Sequence, residues 1–233
     1  MISKAGFTRT FQFLSMFRDG LICTVSLSAL TVFFGFILAL ILGICRLGRS
    51  RLLRAIATVY VELFRATPMV VQIFIIFYVV FNGVKVLPGV RLFGFIRFER
   101  FFPAVVALAL NSGAYLSEII RSGIQSIDGG QTEAARSLGL SSWKTMRFVV
   151  LPQAIKNILP AIANEFVTII KESAICYTIG VQDIMSAVNA VKGSTYRMGE
   201  ALIIATALYF CLTFPTSKII AHFERRMRRG DLR

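Results

Sequence analysis

A carboxylate stands in the middle of an apolar run: Glu165, in the stretch LPAIANEFVTIIKESAI (159–175). No basic residue adjoins it, and Pro160, five positions upstream, is placed to kink a helix. A carboxylate so placed takes a cationic ligand, or pairs with a charge on a neighbouring helix. Around it Asn157, Ala161, Asn164, Thr168 and Lys171 recur at helical spacing, with Glu172 beside them. A second stripe has the same spacing: Asn111, Tyr115, Glu118, Ser122 and Gln125, with Ser112 adjacent. Such spacing gathers each set on one helix face. These faces suit a polar ligand, and they equally suit hydrogen bonds that hold helices together, a reading open for Ser112, Tyr115 and Thr168. Glu118 and Glu172 lie near segment ends, where headgroups or ion-pair partners meet them. Gln72, one turn past Pro68, joins Asn111 as a candidate for a ligand's polar groups. Arg65 reads as an anchor or gate at the end of its segment.

The elements that position these residues are membrane spans. Of 233 residues 56% are hydrophobic and 16% charged, and the mean hydropathy is +0.71, more apolar surface than a water-soluble domain of this size hides. Charge-free runs cover 20–45, 66–84, 101–117 and 201–217. The first, 26 residues, is about 39 Å long as a helix, enough to cross roughly 30 Å of hydrocarbon. Residues 157–181 form a fourth span in chain order, interrupted by charge, giving five. The first run is too long for a cleavable signal. Phe7, Phe11, Leu14 and Phe17 repeat at helical spacing, so residues 1–19 read as a helix on the membrane surface.

Cys23, Cys45, Cys176 and Cys211 sit in apolar stretches without metal or redox spacing, and read as small buried hydrophobes. With His222 the one histidine, no metal site or hydrolytic triad is expected. The net charge of +14 suits the edges of a bilayer rather than nucleic acid. Five spans divide the 26 basic residues 16 to 10, which predicts the N-terminus outside and the C-terminus in the cytoplasm.

On that cytoplasmic side lies QTEAARSLGLSSWKTMRFVVLPQ (131–153). Asp128 caps a first helix, with Gln131 where a reciprocal cap belongs. Gly139 ends that helix in the left-handed conformation, Ser141 or Ser142 caps a second, and Pro152 stops it. Ala134, Ala135 and Leu138 form a shallow apolar face. The order E-A-A, three residues, G, nine residues, V-V-L-P resembles the EAA loop of ABC-importer permeases. YVELFRATPMVVQIF (60–74) and NSGAYLSEIIRSGIQSIDGGQTEAA (111–135), with the stretch at 159–175, resemble the polar amino-acid branch of that family, the histidine, glutamine, arginine and opine permeases.

The resemblance implies an all-α integral membrane protein of about five spans, a type I importer permease in a bacterial inner membrane. It implies a transmembrane part at 20–222, a coupling loop at about 126–152 and a basic cytoplasmic tail at 223–233. Partners would be two cytoplasmic ATPase subunits, a second permease chain of the same or another kind, and an extracytoplasmic amino-acid-binding protein. Glu133, Ala134, Ala135, Leu138 and Gly139 would couple to the ATPase. Glu165, Asn164, Asn111, Tyr115, Gln72, Ser112 and Thr168 would meet substrate, Glu165 taking an amino acid's ammonium or a basic side chain. No phosphate-cradling G-x-x-x-x-G-K-[ST] run occurs, so ATP would be bound by the partner and no cofactor by this chain. The chain would be a transport subunit and not an enzyme. An ATP-independent channel or facilitator for small polar solutes would use the same stripes, and a membrane enzyme lacks any nucleophile–base set. The topology has a direct check. A cysteine at Ser194 is expected to react with an impermeant maleimide in intact cells, and one at Ser141 only after the cytoplasmic side is opened; the reverse pattern refutes the orientation.

Overall fold

The computed structural model describes residues 4–48, 50–82 and 88–229, helical apart from loops and one small hairpin. Helix α1 (Lys4–Phe11) is followed by α2 (Leu14–Leu47), which runs unbroken through Arg18 and Asp19. The first span therefore begins earlier than residue 20, and only α1 and its turn remain of the expected interfacial segment. α1 packs on α9 (Ile184–Thr195) and α10 (Met198–Arg229).

The second span differs most from expectation. Instead of one helix over 66–84, α3 (Arg51–Ala66) meets α4 (Met69–Phe74) and a π-helical turn (Ile75–Val80) at 110°. Pro68 has no N–H to donate, and Thr67 before it is extended (φ −112°, ψ 146°). Residues 83–87, where that span was expected to end, lie outside the described residues. A two-stranded antiparallel hairpin follows, β1 (Arg91–Leu92) on β2 (Ile96–Arg97), which the sequence reading did not foresee.

α5 (Phe98–Gln125) is the hub, packed along α2 and touching α3, α4 and α8 (Leu151–Glu172). Gly123 lets α8 come close: a Cβ there would lie 2.3 Å from Ile158 Cγ1, so any larger residue separates the two helices. From α5 the chain enters α6 (Gly129–Ser137) and α7 (Ser142–Thr145), the expected helix–turn–helix. Pro152 does not stop the second helix. A π-helical turn (Met146–Val150) carries the Leu151 N–H back to Met146 O, and Pro152 falls in the first turn of α8, where its missing donor costs little. Beyond Glu172 the chain tightens into a 3-10 turn (Ser173–Ile179) and bends 45° into α9, capped by Asp183 through a 2.8 Å bond from Ser186 N. α10 closes the chain and remains helical through Arg225 and Arg226, in what the sequence suggested as a tail.

Among the described residues three helices, α2, α5 and α10, are each long and apolar enough to cross a membrane, and counting each bent pair as one span brings the number to five. Buried apolar side chains gather where α2 and α5 meet the other elements: Cys23, Leu27, Ile73, Leu108 and Ile179 in one cluster, Phe17, Ile184, Val188 and Ala201 in another. Phe33, Ile37, Ile41 and Ile44 on α2, and Phe210 and Phe214 on α10, are exposed, as helices bathed in lipid or in another chain require. Cys23 and Cys176 are buried as expected of small hydrophobes, whereas Cys211 is exposed on α10 and Cys45 is half-buried.

Candidate functional site

Successive residues of α5 turn by 100°, so the two polar stripes expected on two helices do not all face one space. Asn111 faces α3 and α4. Its amide donates to Gln72 Oε1 at 2.8 Å and, at 3.4 Å, to Phe64 O. Gln72 in turn donates to Phe64 O (2.8 Å), Thr67 O (3.0 Å) and Thr67 Oγ1 (2.8 Å). The carbonyls that Pro68 and the bend leave without helical donors are thereby met. Both residues were expected to contact substrate; here both amides are engaged in the α3–α4 bend, because a break inside a membrane must satisfy its own backbone. Tyr60 adds a bond from its hydroxyl to Leu110 O at 2.7 Å, fixing α3 along α5.

Glu118 faces α2. It accepts from Arg46 Nη1 at 2.8 Å and from Arg121 Nε at 3.1 Å on each oxygen, with a further close contact from Arg121 Nη2. Of the two alternatives for Glu118, the ion-pair reading is the one the structure shows. Arg46, with a side chain only 9% exposed, is held almost entirely by this pair.

Ser112, fully buried one step round from Asn111, faces α8 and donates to Glu165 Oε1 at 3.3 Å. Among the described residues no other donor reaches Glu165, and no basic side chain pairs with it. Tyr115 falls between the directions of Asn111 and Ser112 and is 40% exposed despite its place well inside a spanning helix. It faces the groove between α3 and α8, and so does Arg65, whose guanidinium carbon lies 5.8 Å from the centre of the Tyr115 ring. The sequence reading put Arg65 at the end of a span. The early start of α3 carries it instead to the middle of α5, because the turn it belongs to precedes the break.

Toward the α6 end of α5 a hollow opens between α5, α8 and α10. A cavity of about 430 Å³ there is lined by Ser122 and Ser126 of α5, Lys156, Asn157 and Ala161 of α8, and Glu224 of α10. Asn157 donates to Ser126 Oγ at 3.1 Å across it. Asn164 is exposed on the same side of α8, and the Thr168 hydroxyl donates to Asn164 O at 3.2 Å, within its own helix. None of the expected substrate residues lines that cavity: Ser112 meets Glu165, Tyr115 meets Arg65, Asn164 and Thr168 are joined within α8, and Gln72 and Asn111 meet at the α3–α4 bend.

The helix–turn–helix projects from that end. Asp128 accepts from Gly130 N at 2.6 Å, Gly139 has φ 82°, and Ser141 accepts from Lys144 N at 3.3 Å. Gln131 Nε2 and Oε1 make no bond to Asp128 among the described residues; its backbone N–H does so instead, to Asp128 O. Ala135, expected on the exposed face, is buried, because that side of α6 packs against the π-helical turn. The exposed surface is made by Glu133, Ala134 and Leu138, with Leu138 84% exposed at the tip. Trp143 beside it, 63% exposed and stacked under Arg147 at 5.0 Å, was not singled out from the sequence. Its signal was a lone tryptophan next to a turn.

Known proteins share this arrangement. The chain is 40% identical over 225 residues to the arginine transport system permease protein ArtQ of Bacillus subtilis, covering 97% of this chain and 98% of that one. It is 36% identical over 209 residues to the putative glutamine transport system permease protein GlnP of Rickettsia conorii, covering 90% and 91%. A solved structure described as an amino acid ABC transporter with histidines superposes with TM-score 0.87 at 39% identity, covering 97% of this chain and all of that one. A bundle of up to five spans with a projecting helix–turn–helix and a polar groove is the permease of a type I ABC importer, a transport subunit rather than an enzyme. The chain belongs to the family of binding-protein-dependent transport system inner membrane components, whose model matches residues 31–229. It is accordingly a multi-pass inner-membrane subunit that works with ATPase subunits and a second permease.

Proposed function

We propose that the groove between α3 and α8 carries an amino acid across the membrane, with Glu165 receiving its ammonium group or a cationic side chain. The observation that carries this reading is a mid-span carboxylate held by one serine and met by no cation among the described residues. In a membrane such a charge is costly unless a partner arrives, and an amino acid always brings a cation. The arginine and glutamine relatives support amino acids as the cargo class. Asn164 and Thr168 flank Glu165 and supply polar surface, while Ser112 holds it in place. The open side of the groove is closed by the second permease chain, and an extracytoplasmic binding protein delivers the substrate. ATP is bound by the partner ATPase, and this chain binds no cofactor. The N-terminus lies outside and the C-terminus in the cytoplasm, so α6 and α7 meet the ATPase.

Glu165→Gln tests the reading through substrate-stimulated ATPase activity of the reconstituted assembly with its binding protein. A charge-assisted hydrogen bond is worth roughly 1.5–3 kcal/mol, about 10- to 150-fold in affinity. If Glu165 meets a basic side chain, basic amino acids weaken by that factor and neutral ones do not; if it meets the common ammonium, all weaken alike. An unchanged profile in a well-folded variant removes Glu165 from the site.

Coupling is tested separately. Glu133 and Leu138 are exposed, so Glu133→Lys and Leu138→Arg leave the fold intact. Either is expected to cut uptake by an order of magnitude or more while the subunit stays in the membrane and still binds substrate. Uptake at the normal rate with both would contradict an ATPase contact at this face.

A further inference from the structure

Arg65, on α3 beside Tyr115, is a second charge flanking α5, as Glu165 on α8 is beside Ser112. Its neighbour Tyr115 and Glu165's neighbour Ser112 are three residues apart on α5, about 4.5 Å along the axis and 60° around it. A cation on α3 and an anion on α8 therefore flank the same stretch of floor. The other arginines near the hub have hydrogen-bond partners: Arg46 and Arg121 donate to Glu118, and Arg100 donates to Ile179 O at 2.7 Å. Arg65 differs. Among the described residues its guanidinium donates no hydrogen bond, and its one ion-pair contact is Glu62 Oε1 at 4.0 Å, with side chains 36% and 64% exposed. A single contact at that distance between two exposed groups is weak. The planar fork, which matches a carboxylate through two parallel N–H bonds, is left unfilled, and stacking on Tyr115 keeps it at the groove.

We propose that Arg65 binds the carboxylate of a zwitterionic α-amino acid while Glu165 binds its cationic group, so that the groove accepts amino acids and rejects amines that lack the carboxylate. The inference rests on the groove being the amino-acid path. It assigns Arg65 a binding role that does not depend on the side chain carried, because every α-amino acid presents the same carboxylate. A structural role, with Arg65 serving only as Glu62's partner, makes the opposite forecast, since then the carboxylate has no dedicated contact.

Equilibrium binding to the assembled transporter in nanodiscs separates the two, with matched probes: L-arginine against agmatine, and L-glutamine against its α-amide. The wild-type assembly is expected to favour the carboxylate-bearing member of at least one pair by about 10- to 100-fold. Arg65→Met is expected to erase that preference by weakening the amino acid to the level of its analogue, leaving the analogue's affinity unchanged. Arg65→Gln gives the same readout if the methionine variant does not assemble. A folded neutral variant that keeps the wild-type preference overturns the proposal, as does one that weakens both members of a pair equally. Glu165→Gln, with Arg65 intact, is expected to weaken arginine and agmatine by similar factors. If the wild-type assembly binds neither pair, the amino-acid reading of the groove fails and this inference falls with it. If it binds and Arg65→Met leaves the preference intact, only the inference fails.

Discussion

A backbone polar group inside a bilayer has no water to turn to, and the break between α3 and α4 would leave several such groups unmet. Gln72 answers this with one side chain, donating to Phe64 O, Thr67 O and Thr67 Oγ1, while Asn111 of α5 donates to its carbonyl oxygen. The bend is thereby tied to the hub helix rather than left free to straighten. Everything on the groove's α3 side depends on it. The Tyr60 bond to Leu110 O and the seat of Arg65 over Tyr115 both require α3 to lie against the middle of α5. Straightening the pair would carry Arg65 away from the groove and leave buried carbonyls without donors, a cost of about 1–3 kcal/mol for each unsatisfied group.

Two kinds of charge follow from the same constraint. Arg46, Glu118 and Arg121 form a closed set joining α2 to α5, each charge met by its own chain. Such a set holds helices in register, and removing one member strands the others. Glu165 and Arg65 are incompletely met, and they flank α5 from α8 and α3. A permease needs its cargo to bind and then leave, which is why we assign the cargo contacts to groups not already saturated. The helix–turn–helix is built on the opposite logic: caps at Asp128 and Ser141 and the left-handed Gly139 make it stiff, so that a push on its exposed face moves α5 and α8 rather than the loop itself.

Much of this was legible in the residues. Long charge-free runs located α2, α5 and α10, and the turn at Gly139 was readable because only a residue free of steric conflict suits φ 82°. The second span was misplaced because a count of charges treats Glu62 and Arg65 as loop residues, whereas a helix with one face on a polar groove carries charge within the bilayer. Pro152 misled for a related reason: a wide turn just before it removes the conflict that normally ends a helix. Asn111 and Gln72 have the spacing of a ligand site, and spacing alone cannot distinguish a side chain that meets cargo from one that closes a backbone break. The isolation of Glu165 was legible because no basic residue adjoins it in sequence, and the structure gives it one hydrogen bond, from Ser112. The contact of Arg65 with Tyr115 was not, since some fifty residues separate the two.

The central claim is that the space between α3 and α8, floored by α5, is the route of transport. In a variant with the four native cysteines replaced by alanine, single cysteines at Ser122 and Ala161 line the cavity beside α5 and one at Thr168 lies further along α8 on the proposed route, while Phe34 and Phe210 are exposed on α2 and α10. The measurement is the rate of reaction with a water-soluble methanethiosulfonate in the assembled transporter, with and without L-arginine or L-glutamine. Fast reaction at the three groove positions, slowed by substrate, and slow reaction at Phe34 and Phe210 regardless of substrate are the predicted result. Groove positions that react no faster than Phe34, or that substrate does not protect, would contradict the account.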